Sequence, residues 1–427
     1  MNLKRSLKYI LFTAILSSTA LAHVDHKSCK VKGYQSSSFS WSATDNGPKN
    51  QRDDIEIDLI GTKTADDVCV MGVRLKNPGA KPIIMVHGFM ENLTIFNGIA
   101  QELYDRGYDV YLFNMRGHGN GARESKALRE KTLMGFDEIV SFDIPAMLRY
   151  VHKMSAQKAT IIGHSMGTMS SRLTVSGVGK DLEGNMIISE DYKDWALDKV
   201  NGVIAISSPS SLRNSDEVVS KFFSYDSDEV NVIRQRLLNI LFFQRDPANP
   251  SNTRFGRIFN QYANWATEKA IRYGIPRYFL DTLFRLENFN FSTFELSTLV
   301  LDSMSVPSDR LYADASLWSR EKKYASRDGR INYENLPVPT EIPYYFIGVT
   351  EDGLANLGDM KEDFLSQPKH ENMALITVKD FGHMDIVATE KGKVQTLRIL
   401  KNILDSNFSK DSLEFLKLYT KIDVYIK

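Results

Sequence analysis

Six short apolar runs recur along the chain, and polar or turn-forming residues end each of them. The runs are Ile83–Val86, Val110–Phe113, Thr160–Ile162, Val203–Ile206, Tyr344–Ile347 and Leu375–Val378. Because they are continuous and do not alternate with polar residues, they suit strands that are buried on both faces of a parallel sheet. Helical patterns lie between most of them. This succession predicts βαβ units and an α/β fold with a mostly parallel, doubly wound sheet.

Patterns at the two ends of the predicted sheet extend it. The alternating stretch Ile55–Ile60 and the run Val68–Leu75 predict an antiparallel hairpin ahead of the first parallel strand. Apolar residues at helical spacing predict a helix near the end of the chain; they are Val394, Leu397, Leu400 and Leu404. In the last segment, Leu413, Leu416 and Leu418 predict a final docked helix.

The alternation of strands and helices stops between residues 210 and 341. This stretch has no apolar run of the same kind, yet it holds 20 aromatic residues. A solvated linker would be poor in them, so we expect a folded, mainly helical lid or cap subdomain inserted into the sheet domain. The α/β core would then be formed by residues 23–209 and 342–427, the second part ending in the docked helix.

The first 22 residues have the pattern of a secretory signal peptide. Basic residues come first, then the apolar run Tyr9–Leu16, then small residues that end in a cleavage pattern at Ala22. The apolar run is too short to cross about 30 Å of hydrocarbon. We therefore expect a secreted or periplasmic protein that is cleaved near Ala22 and has no transmembrane segment in its mature chain.

Composition narrows the class of protein. Lys plus Arg and Asp plus Glu number 53 each, so the chain has no basic excess for a nucleic-acid partner. Its two cysteines, Cys29 and Cys69, cannot build a disulfide scaffold or a cysteine metal site. In an oxidising compartment they could pair, and two buried thiols are the open alternative.

Gly163–Gly167 carries the strongest chemical signal in the chain. It reads Gly-His-Ser-Met-Gly, which matches G-x-S-x-G, and it lies between an apolar strand and a helical stretch. That context predicts a nucleophile elbow, a sharp turn that presents the hydroxyl of Ser165 above the sheet. The alternative is a glycine-rich surface turn. The backbone N–H of Met166, the residue after the nucleophile, is one expected donor to an oxyanion, and the N–H of Phe89 after the first parallel strand is the other.

A serine nucleophile needs a base and an orienting acid, which follow it in this fold in the order acid, then histidine. His370 and His383 are the histidines after Ser165. His383 follows the last parallel strand, at the same sheet edge as the elbow, whereas His370 precedes that strand and is expected on the surface. The acid should follow the Tyr344–Val349 strand, where Glu351 and Asp352 compete.

These segments resemble the α/β-hydrolase superfamily and, within it, the acid lipases, the group of gastric and lysosomal lipases. The resemblance is carried by Phe136–Ile139, Phe142–Ala146, Gly163–Thr168, Asp352–Ala355 with Asp359, and His383–Asp385. It favours Asp352 over Glu351 as the acid. It implies hydrolysis of neutral lipid or other carboxylic esters without a metal or organic cofactor, and it puts residues 210–341 in the position of a lid.

The expected function is therefore that of a secreted lipase or esterase with Ser165, His383 and Asp352 as its triad. Its partner would be a lipid or other apolar ester, and the lid would make transient contact with a lipid surface. Two alternatives stay open. One is an acyltransferase that uses the same triad, and the other is a non-catalytic lipid-binding protein on the same scaffold.

Overall fold

The computed structural model describes residues 23–25, 29–32, 55–118, 134–211, 213–214, 291–292, 295–296, 299, 303–305, 307–334, 336–368, 372–409 and 411–426. The predicted signal peptide, His370 and most of the predicted insertion lie outside these residues. None of the helices within the described ranges is long and apolar enough to span a membrane.

Thirteen strands lie in the described residues, and nine of them form one sheet. The strands are β1 (His23–Asp25), β2 (Lys30–Lys32), β3 (Ile57–Lys63), β4 (Cys69–Leu75), β5 (Pro82–Val86), β6 (Asp109–Phe113), β7 (Ala159–His164), β8 (Val178–Lys180), β9 (Met186–Ile188), β10 (Val200–Ile206), β11 (Tyr344–Val349), β12 (Met373–Val378) and β13 (Ile422–Ile426). The large sheet has the order β13-β12-β11-β10-β7-β5-β6-β4-β3. Its six central strands are parallel, and antiparallel strands close both sides.

Helices connect the parallel strands, as the sequence predicts. They are α1 (Asn97–Asp105), α2 (Phe136–Glu138), α3 (Ile144–Ser155), α4 (Met166–Val175), α5 (Glu190–Leu197), α6 (Asp309–Glu321), α7 (Leu357–Ser366), α8 (Asp385–Ala388), α9 (Glu390–Asp405) and α10 (Asp411–Glu414). A π-helical segment, Ile139–Asp143, joins α2 to α3, and 3₁₀ turns cover Leu93–Phe96 and Phe415–Leu418. Every residue of β5, β6, β7, β11 and β12 is buried, which explains why these strands read as continuous apolar runs.

All six predicted parallel strands are confirmed, and so is the antiparallel hairpin, as β3 and β4. The predicted apolar face of α9 is partly wrong, because Val394 is 52% exposed and the buried face runs through Ile399, Leu400 and Ile403. The first residues after the predicted cleavage point form a small hairpin, β1 with β2, next to which Cys29 is bonded to Cys69. The cysteines are therefore paired rather than free.

The end of the chain differs from its prediction. A helix does form at α10, with Leu413 buried, but it is a single turn followed by a 3₁₀ turn, and Leu418 is 76% exposed. The chain then enters β13, which pairs antiparallel with β12 at the sheet edge. Only Ile422 of that strand is buried, so the edge strand has no continuous apolar run in the sequence. The leucines before it have helical spacing and predict only the helix.

The predicted insertion from 210 to 341 falls between β10, which ends at Ile206, and β11, which begins at Tyr344. Its described part includes α6, and its buried residues Leu311, Tyr312 and Trp318 belong to the same hydrophobic core as the sheet. The boundaries of the insertion, and its role as a lid, stay predictions.

Candidate active site

Ser165 occupies a sharp turn between β7 and α4. Its backbone has φ 52° and ψ −123°, a left-handed region that costs a non-glycine residue about 1–3 kcal/mol. Two contacts hold this turn: the Ser165 N–H donates to Ile206 O over 2.9 Å, and Gly167 packs directly on the carbonyl groups of Val86 and His87. A side chain at position 167 would collide with that backbone, so the second glycine of the motif is needed for close approach.

His383 and Asp352 form a buried pair beside this turn. His383 Nδ1 lies 2.8 Å from Asp352 Oδ2 and 3.0 Å from Oδ1, and both side chains are almost fully buried. The loop after β11 orients the acid, because Asp352 Oδ1 also accepts hydrogen bonds from Leu354 N at 2.9 Å and Ala355 N at 2.7 Å. The carboxylate beside His383 is thus that of Asp352, the one of the two candidates that the family resemblance favours.

Ser165 and His383 open into one cavity at the carboxyl edge of the parallel strands, where ligands bind in open α/β sheets. Most of the cavity wall is apolar. Phe89, Met169, Leu354 and Met384 contribute from the sheet domain, and Ala315 and Trp318 contribute from α6. A serine and a histidine in an apolar cavity are the arrangement that an apolar ester would require.

The loop His87–Glu91, called the β5 loop below, passes close to Ser165. A Cβ placed on Gly88 would lie 3.0 Å from Ser165 Cβ, which is closer than an ordinary van der Waals contact, so glycine favours the close approach of this loop to the nucleophile. Phe89 lines the cavity, and Met166, the other predicted oxyanion donor, is the first residue of α4. The N–H of a first helical residue has no acceptor within its own helix, which leaves it able to bind a negatively charged oxygen.

A buried acid–histidine pair connects the loops around Ser165. Glu91 Oε1 lies 2.7 Å from His164 Nδ1, and Glu91 Oε2 accepts a hydrogen bond from Gly88 N at 2.5 Å. On its other side, His164 Nε2 lies 2.9 Å from the carbonyl oxygen of His383. Burial disfavours the charged form of both side chains, but the attraction between the two groups outweighs this effect. The pKa of His164 is therefore raised, and the pKa of Glu91 is lowered.

Two other histidines are also buried near this loop, and neither lies where a base for Ser165 would be. His87 accepts a hydrogen bond from Met115 N at 3.1 Å through Nε2, and its Nδ1 faces Gly88 O at 2.8 Å. Burial lowers the pKa of His87 to about 4, so the ring is neutral at pH 7. His118 lies 2.6 Å from Phe89 O through Nε2 and supports the β5 loop from behind.

The loop after β6 is anchored by a buried charge network. Arg116 donates to Asp143 through its backbone N at 2.7 Å and through Nε at 2.8 Å, and its guanidinium contacts Asp66 at 2.7 Å. Asp143 is the last residue of the π-helical segment. Burial raises the pKa of Asp143 to about 6 even beside Arg116.

Residues of the predicted insertion are hydrogen-bonded to the β5 loop and to the residue that follows it. Ser305 N donates to Met90 O and Asn92 N donates to Ser303 O, each over 2.9 Å. Farther along, Asp314 of α6 accepts from Phe136 N at 2.8 Å and pairs with Arg327. The α6 wall of the cavity is therefore fixed to the sheet domain by polar contacts as well as by apolar packing.

Comparison with known proteins agrees with this geometry. A family model described as the alpha/beta hydrolase fold matches residues 81–176, which span the β5 loop and the elbow. The chain has the α/β-hydrolase fold and resembles the acid lipases. Within the described residues, no group of three or more His, Cys, Asp or Glu side chains could hold a metal ion.

Lipases are among the proteins that this chain is similar to. Triacylglycerol lipase 2 of Arabidopsis thaliana is 23% identical over 333 residues, which cover 72% of each chain. Gastric triacylglycerol lipase of Homo sapiens is 34% identical over 103 residues, but these cover 22% of this chain and 26% of that lipase. Among solved structures, a thermophilic esterase from Thermogutta terrifontis is 14% identical with a TM-score of 0.48 and covers 82% of this chain and all of that one.

The structure brings together Ser165, His383, Asp352 and Phe89, which sequence reasoning selected, and it adds a pair that the reasoning missed. His164 was visible in the motif as the residue before the serine, and Glu91 as a single acid in an otherwise apolar loop. They are 73 residues apart in the sequence, and nothing in either segment alone indicates that they meet.

Proposed function

We propose that this α/β hydrolase is a carboxylic-ester hydrolase of the lipase and esterase type that acts through Ser165, His383 and Asp352. One observation carries the proposal: the buried His383–Asp352 pair opens into the same apolar cavity as a serine on a strained elbow. The relatives named as triacylglycerol lipases support the same reaction class.

In the proposed reaction, Ser165 Oγ attacks the ester carbonyl carbon while His383 accepts the hydroxyl proton. Asp352 holds the Nδ1–H of His383, which leaves Nε2 to act as the base, and stabilises the imidazolium that forms. The N–H groups of Phe89 and Met166 stabilise the tetrahedral oxyanion. The C–O bond to the alcohol then breaks, and the alcohol leaves with the proton from His383. Water repeats the sequence on the acyl-enzyme and releases the acid.

The substrate is an apolar ester. The acyl chain would lie against Met169, Leu354 and the α6 residues Ala315 and Trp318, because these side chains form the apolar wall next to Ser165. Trp318 is held in place: its Nε1–H donates to Ala325 O at 2.7 Å, and its ring packs edge-on against Phe136. Contact between the aromatic-rich segment 210–341 and a lipid surface is part of the same proposal.

A p-nitrophenyl ester series from short to long acyl chains tests the reaction. The wild type should hydrolyse esters, and Ser165→Ala should lower kcat by about 10⁴-fold or more. Ser176→Ala is the matched control, since Ser176 is the C-cap of the same helix and donates to Pro337 O away from the cavity. If folded wild type hydrolyses no ester, transfer of an acyl group to an added alcohol would support an acyltransferase. Lipid binding without either reaction would support a binding protein.

Export is also part of the proposal. It is supported by the signal-peptide pattern of residues 1–22 and by the Cys29–Cys69 disulfide, a bond that persists in oxidising compartments. Expression in a secreting host followed by N-terminal sequencing should give a mature chain that starts near His23. A full-length chain that stays inside the cell with reduced cysteines would contradict export.

A further inference from the structure

The Glu91–His164 pair takes part in no step of the reaction described above, yet it is buried next to the reacting residues. Both side chains are at most 2% exposed, and a charged group buried in this way is costly unless it is paired and hydrogen-bonded. Three different segments of the site meet at this pair: the β5 loop, the elbow, and residues 379–384 after β12, called the β12 loop below.

The charges of the pair follow from what its atoms face. His164 Nδ1 lies 2.7 Å from Glu91 Oε1, which is an ion-pair distance, and Nε2 lies 2.9 Å from the carbonyl oxygen of His383. An imidazolium places its positive charge beside this carboxylate, and its Nε2–H can donate to the carbonyl. The groups facing it agree with that charge: burial lowers the pKa of His164, but the carboxylates of Glu91 and Asp352 raise it by more, and His87 on the neighbouring strand end is neutral. The pair therefore carries no net charge next to the reacting atoms.

We propose that the Glu91–His164 pair is a positioning device, which fixes the β5 loop and the β12 loop relative to Ser165. Glu91 Oε2 binds the N–H of Gly88 and so sets the orientation of the next peptide, whose N–H belongs to Phe89. His164 Nε2–H binds the carbonyl of His383 and so sets the backbone from which the catalytic imidazole extends. His164 also directly precedes Ser165 in the chain. The pair therefore connects the β5 loop, the elbow and the β12 loop to one another.

This inference rests on the proposed function, because it assigns oxyanion stabilisation to Phe89. The expected size of the effect follows from geometry. Removing one oxyanion donor costs about 10²- to 10³-fold in kcat, and a misplacement of about 1 Å costs up to about 10²-fold. A β5 loop that has lost its anchor still carries the N–H but holds it less accurately. We therefore expect a loss of about 10- to 100-fold in kcat with little change in KM.

Three variants test the proposal. Glu91→Ala removes the acceptor for Gly88 and should show the full loss. Glu91→Gln keeps an oxygen at hydrogen-bond distance from Gly88 N, and its amide can face a neutral His164, so we expect it to stay within about tenfold of the wild type. The double variant Glu91→Leu/His164→Phe replaces both partners with apolar groups, which avoids a buried unpaired charge. It should fold and still lose the activity.

Activity must be counted per reactive serine, because a variant with a purely structural defect has fewer active molecules. Titration with a p-nitrophenyl alkylphosphonate gives the concentration of reactive Ser165 sites, and the maximal rate is divided by that concentration to give kcat per site. Asp109→Asn is the matched control: the Arg74–Asp109 pair is also buried, joins strands β4 and β6, and lies away from the cavity. It should lower the thermal midpoint and leave kcat per site unchanged.

The outcomes separate this proposal from the proposed function. If the wild type neither hydrolyses esters nor reacts with the phosphonate, the proposed function is wrong and the positioning role falls with it. If the wild type is active but Glu91→Ala or the double variant keeps the wild-type kcat per site, the positioning role alone is wrong. A loss per site in those two, with Glu91→Gln close to the wild type, supports it.

Discussion

Asp352→Asn is the substitution whose effect the geometry defines most closely. Asp352 Oδ1 accepts from Leu354 N and Ala355 N, so the oxygen of an asparagine must take that position. Its NH₂ group then replaces Oδ2, which lies 2.8 Å from His383 Nδ1. Facing a donor, Nδ1 gives up its proton and Nε2 keeps one, so the ring can no longer accept a proton from Ser165. The fold is retained while the base is lost.

The size of the loss follows from that inverted tautomer. A triad whose acid is replaced by its amide loses about 10⁴-fold in kcat, which corresponds to about 5.5 kcal/mol in the activation barrier. Steady-state hydrolysis of p-nitrophenyl butyrate, with kcat divided by the number of phosphonate-reactive sites, measures it. The matched control is Glu351→Gln, one residue earlier, which should keep wild-type activity. If Asp352→Asn keeps more than about a tenth of the activity, or if Glu351→Gln loses it, the assignment of the acid is wrong.

Three further predictions concern the cavity, the disulfide and pH. Trp318→Ala should shift the optimal acyl-chain length toward longer esters, because each added methylene that fits the enlarged cavity should raise kcat/KM by about fourfold. Trp195→Ala on α5 should leave the optimum unchanged. An unchanged optimum in Trp318→Ala would mean that Trp318 does not line the acyl site. Cys29→Ala/Cys69→Ala opens a loop of 40 residues and should lower the free energy of unfolding by about 4 kcal/mol in urea titrations, so an unchanged midpoint would argue against the bond. Burial raises the pKa of Asp314 to about 6, so the folded chain binds that proton more tightly than the unfolded chain does. The contribution of this group to stability should therefore fall by up to about 3 kcal/mol as pH rises from about 4 to about 6, and Asp314→Asn should flatten this slope in unfolding curves; an identical slope would contradict it.

The buried parallel strands could be predicted because burial on both faces leaves a continuous apolar run that can be read in a single sequence. The elbow could be predicted for a similar reason, since the close packing of Gly167 on the backbone of β5 leaves a glycine at a fixed spacing from Ser165. The edge strand β13 was missed because only Ile422 of it is buried, which leaves little pattern to detect.

The acid was harder to select than the histidine. Topology alone separated His383 from His370, since they flank one strand, but Glu351 and Asp352 share one loop and differ only in how that loop turns. The turn depends on the hydrogen bonds from Leu354 and Ala355 to Asp352, which form only in the folded chain. The Glu91–His164 pair lay beyond sequence reasoning for the same reason, because it exists only where two strand ends meet.

The most direct test is whether Ser165 is the nucleophile. After incubation of the wild type with a p-nitrophenyl alkylphosphonate, intact-mass measurement should show one added phosphonyl group per chain, and peptide mapping should place it on Ser165. Ser165→Ala should add none under the same conditions. A phosphonyl group on a different residue, or equal labelling of the variant, would contradict the central claim that the elbow serine attacks the ester.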